Sequence, residues 1–420
     1  MNILWLKTEL LHPVDKGGKI RTYNMLKELK RDHTVTYLTL DEGTTSDAVS
    51  AAAEYCHELI QIPHAVRNKF TPGFYSDLLL NLPSPLPYAI AKYKSSEMRN
   101  RINERLAKDD VDVLICDFLT PAVNLDFNFD CPAILFQHNV EAMIWKRHHQ
   151  VQPNPVKKAY LYGQWAKMRS LEERLCRKFD AVVAVSAEDR DQMRGEYQLE
   201  AVFDVATGVD TNFFTPMHAT KAEPMNLVFT GSMDWLPNDD AIDFFTDEIL
   251  PLVKREVPNV SLTVVGRNPS TQLTERAKRD PSLVVTGRVE DVRPYMDKAA
   301  VYVVPLRIGG GTRLKIFEAM AMEKPIVSTS VGAEGLPLQN GVELLLADNA
   351  PAFADAIVKL LKEPELARRI GTRAAQLVRE RFGWKQVATQ FSQICEKTVD
   401  RRLKKADVVP SNHPLAYGER

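Results

Sequence analysis

Between residues 309 and 318 the chain reads Gly309-Gly310-Gly311-Thr312-Arg313-Leu314-Lys315-Ile316-Phe317-Glu318, residue types that suit the diphosphate and ribose of a nucleotide. Glycines let backbone N–H groups close on phosphate oxygens, and a helix start adds uncompensated N–H groups and a positive dipole. Arg313 and Lys315 supply cations suited to a diphosphate. Glu318 is an odd neighbour for phosphate but a good acceptor for ribose hydroxyls. The run follows the apolar stretch Tyr302–Leu306 and opens a helical pattern through Met322. It therefore sits at the carboxyl end of a strand, where open α/β sheets bind ligands. The plainer alternative is a glycine-rich turn before a helix with surface charges.

Other polar clusters fall at similar places. Gly17 and Gly18 join the first apolar run to the first helical pattern and suit an oxyanion approaching a helix N-terminus. Gln137-His138-Asn139-Val140-Glu141 leaves the apolar run Ala133–Phe136, which makes His138 a candidate; a structural histidine is the alternative. Asp117 ends the preceding run; a structural carboxylate is the first reading, and a role in shaping the site or holding the acceptor is the alternative. Gly231 to Asn238 leaves another strand pattern, with Asn238 or Asp239 as the expected cap of the next helix. Ser186 reads as a helix cap, with Asp189 at the third helical position.

The elements that must hold these residues alternate between short apolar runs and helical patterns. Asn2–Leu6, His33–Leu40, Leu59–Pro63, Val111–Asp117, Ala133–Asn139 and Ala181–Ser186 form a first series, rich in Val, Ile and Leu as strands buried on both faces are. Asn226–Gly231, Ser261–Gly266, Leu283–Val289, Val301–Leu306, Pro325–Val331 and Val342–Asp348 form a second. Strand–helix alternation implies parallel, doubly wound sheets. The chain thus reads as two Rossmann-like α/β domains, residues 1–207 and 208–385. The helical pattern from Trp384 would leave residues 386–420 as a helix packing on the first domain, plus a tail. Asn68–Lys94, with four prolines among aromatic and leucine residues, fits neither strand nor regular helix; it reads as an irregular subdomain or as a lip for a lipid-linked substrate. Arg147–Lys158 reads as a surface loop.

At 420 residues one core is too few for the chain, and a net charge of −1 gives no global field for nucleic acid. Five dispersed cysteines without CxxC spacing fit a reducing compartment. The first strand pattern begins at Asn2, so no signal peptide is expected, and no apolar run approaches the roughly 20 residues of a membrane span. A cytoplasmic location follows as an expectation.

The stretch Gly309–Gly332, with Glu318-Ala319-Met320-Ala321 and Lys324-Pro325-Ile326-Val327, resembles the donor site of glycosyltransferase family 4, in the subgroup linked to bacterial exopolysaccharide assembly. That resemblance implies a GT-B fold, with two Rossmann-like domains facing across a cleft. Glu318 matches the second of the family's paired glutamates, which binds the nucleotide ribose; the first falls at Gly310, a departure at the position that usually contacts the donor sugar. Many members carry an Arg and a Lys after the first strand of this domain, where this chain has Ser232 and Pro237. Arg313 and Lys315 are expected to supply the missing charge. Arg267, in a segment resembling the one near the nucleotide base, is a candidate donor contact, and His138 is similar to the family's cleft histidine near the donor sugar.

The resemblance implies a retaining transfer from a nucleotide-sugar donor to a sugar or lipid-linked acceptor, in bacterial polysaccharide or glycoconjugate assembly. His138, Arg313 and Lys315 are the expected catalytic residues; Gly17, Gly18, Gly231, Ser232, Arg267, Gly310, Gly311, Thr312 and Glu318 are the expected donor contacts. No essential metal is expected, since the donor segments carry no DxD-type motif. Peripheral contact with the inner face of the plasma membrane, and no nucleic-acid partner, complete the expectation. A nucleotide-sugar epimerase of the same fold and a catalytically weakened binding subunit are the alternatives.

Overall fold

The computed structural model describes residues 1–43, 46–68, 70–217, 223–308 and 314–408. The chain divides into two units, Met1–Ala206 with the chain from Ala388 onward, and Thr207–Val387. Each is built on its own parallel sheet.

In the first unit the strands are β1 (Asn2–Lys7), β2 (Thr34–Asp41), β3 (Glu58–Pro63), β4 (Val113–Asp117), β5 (Ala133–Phe136), β6 (Ala181–Ala184) and β7 (Val202–Asp204). Their order is β3-β2-β1-β4-β5-β6-β7, with every pairing parallel. The second unit holds β8 (Asn226–Thr230), β9 (Ser261–Val265), β10 (Leu283–Val285), β11 (Val301–Val304), β12 (Ile326–Ser328) and β13 (Leu345–Leu346), ordered β10-β9-β8-β11-β12-β13. Both are doubly wound Rossmann-like sheets of seven and six strands. The central strands β1, β4, β5, β8 and β11 are buried almost throughout, as their near-continuous apolar sequences require. In each sheet the winding reverses between two central strands, β1 and β4 or β8 and β11, which opens a crevice at their carboxyl ends.

The last helix, Trp384–Val408, belongs to both units. In the first, Phe391 packs on Trp5 and Phe136, with ring centroids 5.7 and 5.1 Å apart. Farther along, Arg402 Nη1 donates to both carboxylate oxygens of Asp180, at 2.9 and 2.7 Å.

Two segments differ from their sequence reading. Within Asn68–Lys94 lies a regular helix, Pro72–Leu80, followed by the short helix Tyr88–Ala91. Thr71 Oγ1 caps it by accepting from the Phe74 N–H, with Pro72 at the first helical position. Its apolar residues spread around most of it, with only Ser76 and Asp77 polar, so no narrow 3.6-residue stripe marks it in the sequence. Arg147–Lys158 is not a loop: the helix Glu141–Val151 runs into it, and the helix Pro155–Cys176 starts within it, capped by Asn154 Oδ1. The edge strand β7 was not legible, because three residues with one polar end carry no period. No helix among the described residues is long and apolar enough to cross a membrane.

Candidate functional site

At the carboxyl edge of the first sheet, three consecutive central positions converge. Lys7 ends β1, Asp117 ends β4 and His138 follows β5, and all three are buried. Lys7 Nζ lies 2.8 Å from Asp117 Oδ2. The same oxygen accepts from Thr22 Oγ1 at 2.6 Å and Trp5 Nε1 at 3.0 Å. Burial works against an ionised Asp117, but Lys7 and His138 together outweigh it and hold the carboxyl well below the usual carboxylate range. His138 Nε2 lies 2.8 Å from Asp117 Oδ1, at an angle outside that of a hydrogen bond. Burial pushes the imidazole down to about 3, with Arg21 and Lys7 pushing the same way against Asp117. His138 is therefore a neutral imidazole near neutral pH.

The ring is held between Phe118 and Phe136, with centroids 3.9 and 4.6 Å away. Gly17 and Gly18 open the helix Gly17–Leu29, which no side chain caps. A Cβ on Gly18 would meet Phe118 Cζ at 3.1 Å and His138 Nδ1 at 3.9 Å, so the bare backbone lets this helix start approach the histidine. Glu172 anchors the loop after His138: its carboxylate accepts from Gln137 Nε2, from the N–H groups of Glu141 and Ala142, and from Tyr197 Oη. Lys7, Thr22 and Glu172 were missed from sequence. A lysine ending an apolar strand was the available signal for Lys7; Glu172 gave none, since it sits mid-helix among charged residues.

In the second unit the loops after β8 and β9 interlock. Arg267 Nε donates to Ser232 Oγ at 2.7 Å, and Asn268 Nδ2 donates to Asp234 Oδ2 at 2.9 Å. From the first turn of the helix Leu314–Ala321, Lys315 Nζ donates to Asn238 Oδ1 at 2.8 Å and stands 4.1 Å from the Phe229 ring centroid. A Cβ on Gly231 would fall 2.8 Å from Asn238 Nδ2 and 2.9 Å from Lys315 Nζ, which accounts for glycine there. Asn238 is not the helix cap. The helix starts at Leu236 after Trp235, with no side-chain cap, and Asn238 donates back to Ser232 O. Ser186 does cap its helix, accepting from the Asp189 N–H.

Glu318 lies three residues beyond Lys315, half-buried. Burial pushes its carboxyl up to about 7, with Lys315 pulling it down. Tyr302 also faces it, from β11. The folded state thus holds this proton more tightly than an ordinary glutamic acid at 4.5, so Glu318 favours folding in acid and loses that contribution as pH rises toward 7 and above. The melting temperature of Glu318→Gln relative to wild type is expected to rise between about pH 5 and about pH 8. Parallel curves would show that Glu318 is not perturbed.

Structure therefore brings Gly231, Ser232, Arg267, Lys315 and Glu318 together in one unit, and Gly17, Gly18 and His138 in the other. Gly310, Gly311, Thr312 and Arg313 lie outside the described residues.

A model described as Glycosyltransferase Family 4 matches residues 16–213, and one described as glycosyl transferases group 1 matches residues 224–363, together most of the chain. The chain belongs to glycosyltransferase family 4. This family 4 glycosyltransferase is 22% identical over 408 residues to an uncharacterized 44.6 kDa protein in the cps region of Klebsiella pneumoniae, covering 92% of this chain and 97% of that one. It is 32% identical over 154 residues to a phosphatidyl-myo-inositol mannosyltransferase of Mycobacterium leprae, a match spanning 36% of this chain and only 41% of that enzyme. HepE of Anabaena, solved in complex with UDP, superposes with a TM-score of 0.64 at 13% identity, covering 94% of this chain and all of that one. The fold is the GT-B fold of that structure.

Proposed function

We propose that this glycosyltransferase moves a sugar, with retention of anomeric configuration, from a nucleoside-diphosphate sugar to a hydroxyl of a sugar or lipid-linked acceptor in bacterial polysaccharide or glycoconjugate assembly. The bond from anomeric carbon to diphosphate oxygen breaks and its electron pair leaves on the diphosphate. A bond to the acceptor oxygen forms, and the hydroxyl proton is released.

The observation that carries this reading is the cation pair reaching the segment that holds Ser232 and Pro237. Family members often hold an Arg and a Lys at those places; here Arg267 reaches Ser232 and Lys315 reaches Asn238 from other elements. These two cations would supply, by a different route, the charge that a diphosphate leaving group needs. Lys315, Arg313 and the N–H groups opening the helix at Leu314 would take the diphosphate in place of a metal ion. Glu318 would accept from the ribose hydroxyls, and neutral His138 would hydrogen-bond the donor sugar without adding charge. Gly17 and Gly18 would offer N–H groups to a donor or acceptor oxyanion. HepE's complex with UDP and the cps-region setting of the Klebsiella relative agree with a nucleotide donor and a polysaccharide role.

A thermal-shift screen of nucleotide sugars tests the donor. Ligand at about 100 times its dissociation constant adds roughly 2.7 kcal/mol to the unit that binds it. One nucleoside-diphosphate sugar should raise the melting temperature in the presence of chelator, and the free monosaccharide should not. A panel without any shift contradicts the proposal.

A further inference from the structure

One lobe of the first unit leaves its apolar side chains uncovered. The helix Pro72–Leu80 has no buried residue. Phe70, Leu79 and Leu80 are 79%, 67% and 76% exposed, and Tyr75 and Leu82 are exposed beside them. The helix is nevertheless fixed in place. Thr71 caps it, Arg67 Nε sits 3.3 Å from Asp77 Oδ2, and Phe74 packs edge-on against Tyr88 at 5.7 Å. Beyond its end, Lys167 Nζ donates to the carbonyls of Asn81 and Leu82, both at 2.9 Å, which ties it to the helix Pro155–Cys176.

The same lobe is strongly basic. Residues 64–94 hold four Lys and Arg against Asp77 alone, and residues 142–171 hold six against no acid. In a chain of net charge −1, these two stretches carry +9. An exposed apolar helix within a basic field calls for a partner that offers both apolar depth and negative charge.

We propose that this lobe docks on an anionic lipid bilayer, with the leucine and aromatic side chains of the helix Pro72–Leu80 entering the headgroup layer and the basic residues facing lipid phosphates. Nucleic acid would meet the charge but give Leu79 and Leu80 no apolar depth to enter. A second copy on a two-fold axis would set one +9 lobe against another. A bilayer meets both requirements. The assignment does not depend on the reaction proposed above, because docking is read without substrate.

Co-sedimentation of the whole chain with vesicles tests it. The protein should bind phosphatidylcholine vesicles containing phosphatidylglycerol, bind pure phosphatidylcholine weakly, and dissociate as salt rises to about 0.5 M. The double variant Leu79→Glu/Leu80→Glu should lower partitioning about tenfold or more at unchanged melting temperature, since both side chains are exposed. Lys157→Glu/Lys158→Glu should weaken binding to the anionic vesicles only. No binding to anionic vesicles, or equal binding by the leucine variant, overturns the proposal. So does self-association abolished by that variant in the absence of vesicle binding.

Discussion

Asp117→Ala is expected to destabilise the first unit by about 3–5 kcal/mol, the cost of leaving a buried charge without its partner. The stranded charge is Lys7, whose ammonium would keep Thr22 Oγ1 at 2.9 Å and the Phe118 ring at 4.5 Å but no counter-charge. Trp5 Nε1 would lose its acceptor as well. Native-state hydrogen exchange at the amides of β1 and β4 reads the effect within this unit, and a loss of that size accelerates exchange by about two to four orders of magnitude. Replacing both members, as Lys7→Met with Asp117→Leu, should recover part of the loss, because apolar residues of similar volume often substitute for a buried pair. An exchange rate in Asp117→Ala within a few-fold of wild type would refute the buried pair as the keystone of this edge. The two perturbed groups also set a direction with pH. Asp117 is held low, and buried His138 resists protonation, so both contributions are lost as the solution turns acid.

Lys315→Ala is expected to lower kcat by about 10²- to 10³-fold, the usual consequence of deleting one charge-stabilising donor from an active site. Contacts that would place Lys315 for that work include Asn238 Oδ1, which holds its ammonium, and the Phe229 ring beside it. Lys315→Arg should not restore the rate, since a planar guanidinium cannot take the ammonium's place between Asn238 and the ring. Part of the effect in Lys315→Ala will be structural, because buried Asn238 loses a donor. Steady-state kinetics on protein with a wild-type melting curve separate the two. A variant that folds normally and turns over at the wild-type rate would remove Lys315 from the chemistry.

The sheets were legible because their strands are short, apolar and buried on both faces; Leu4, Leu114, Phe136, Phe229 and Val303 each announce a strand that no water reaches. The Gly-rich signature pointed to the carboxyl end of β11, and Lys315 and Glu318 stand there. What the sequence hid is long-range pairing. Arg267 and Ser232 are 35 positions apart, and Lys315 and Asn238 are 77 apart, so only the fold shows that these residues meet. The helix Pro72–Leu80 was hidden for a different reason: a helix apolar around most of its surface has no narrow stripe, and its meaning lies in what it leaves exposed.

The central claim is acceptor-dependent glycosyl transfer, and product analysis tests it most directly. The donor found by thermal shift is incubated with the enzyme, alone and with a lipid-linked sugar acceptor, and the products are resolved by mass spectrometry and anomeric NMR. The account predicts a glycosylated acceptor of retained configuration and an equal amount of nucleoside diphosphate, formed only when acceptor is present. An epimerised donor formed without acceptor, or bound donor that never turns over, would contradict it.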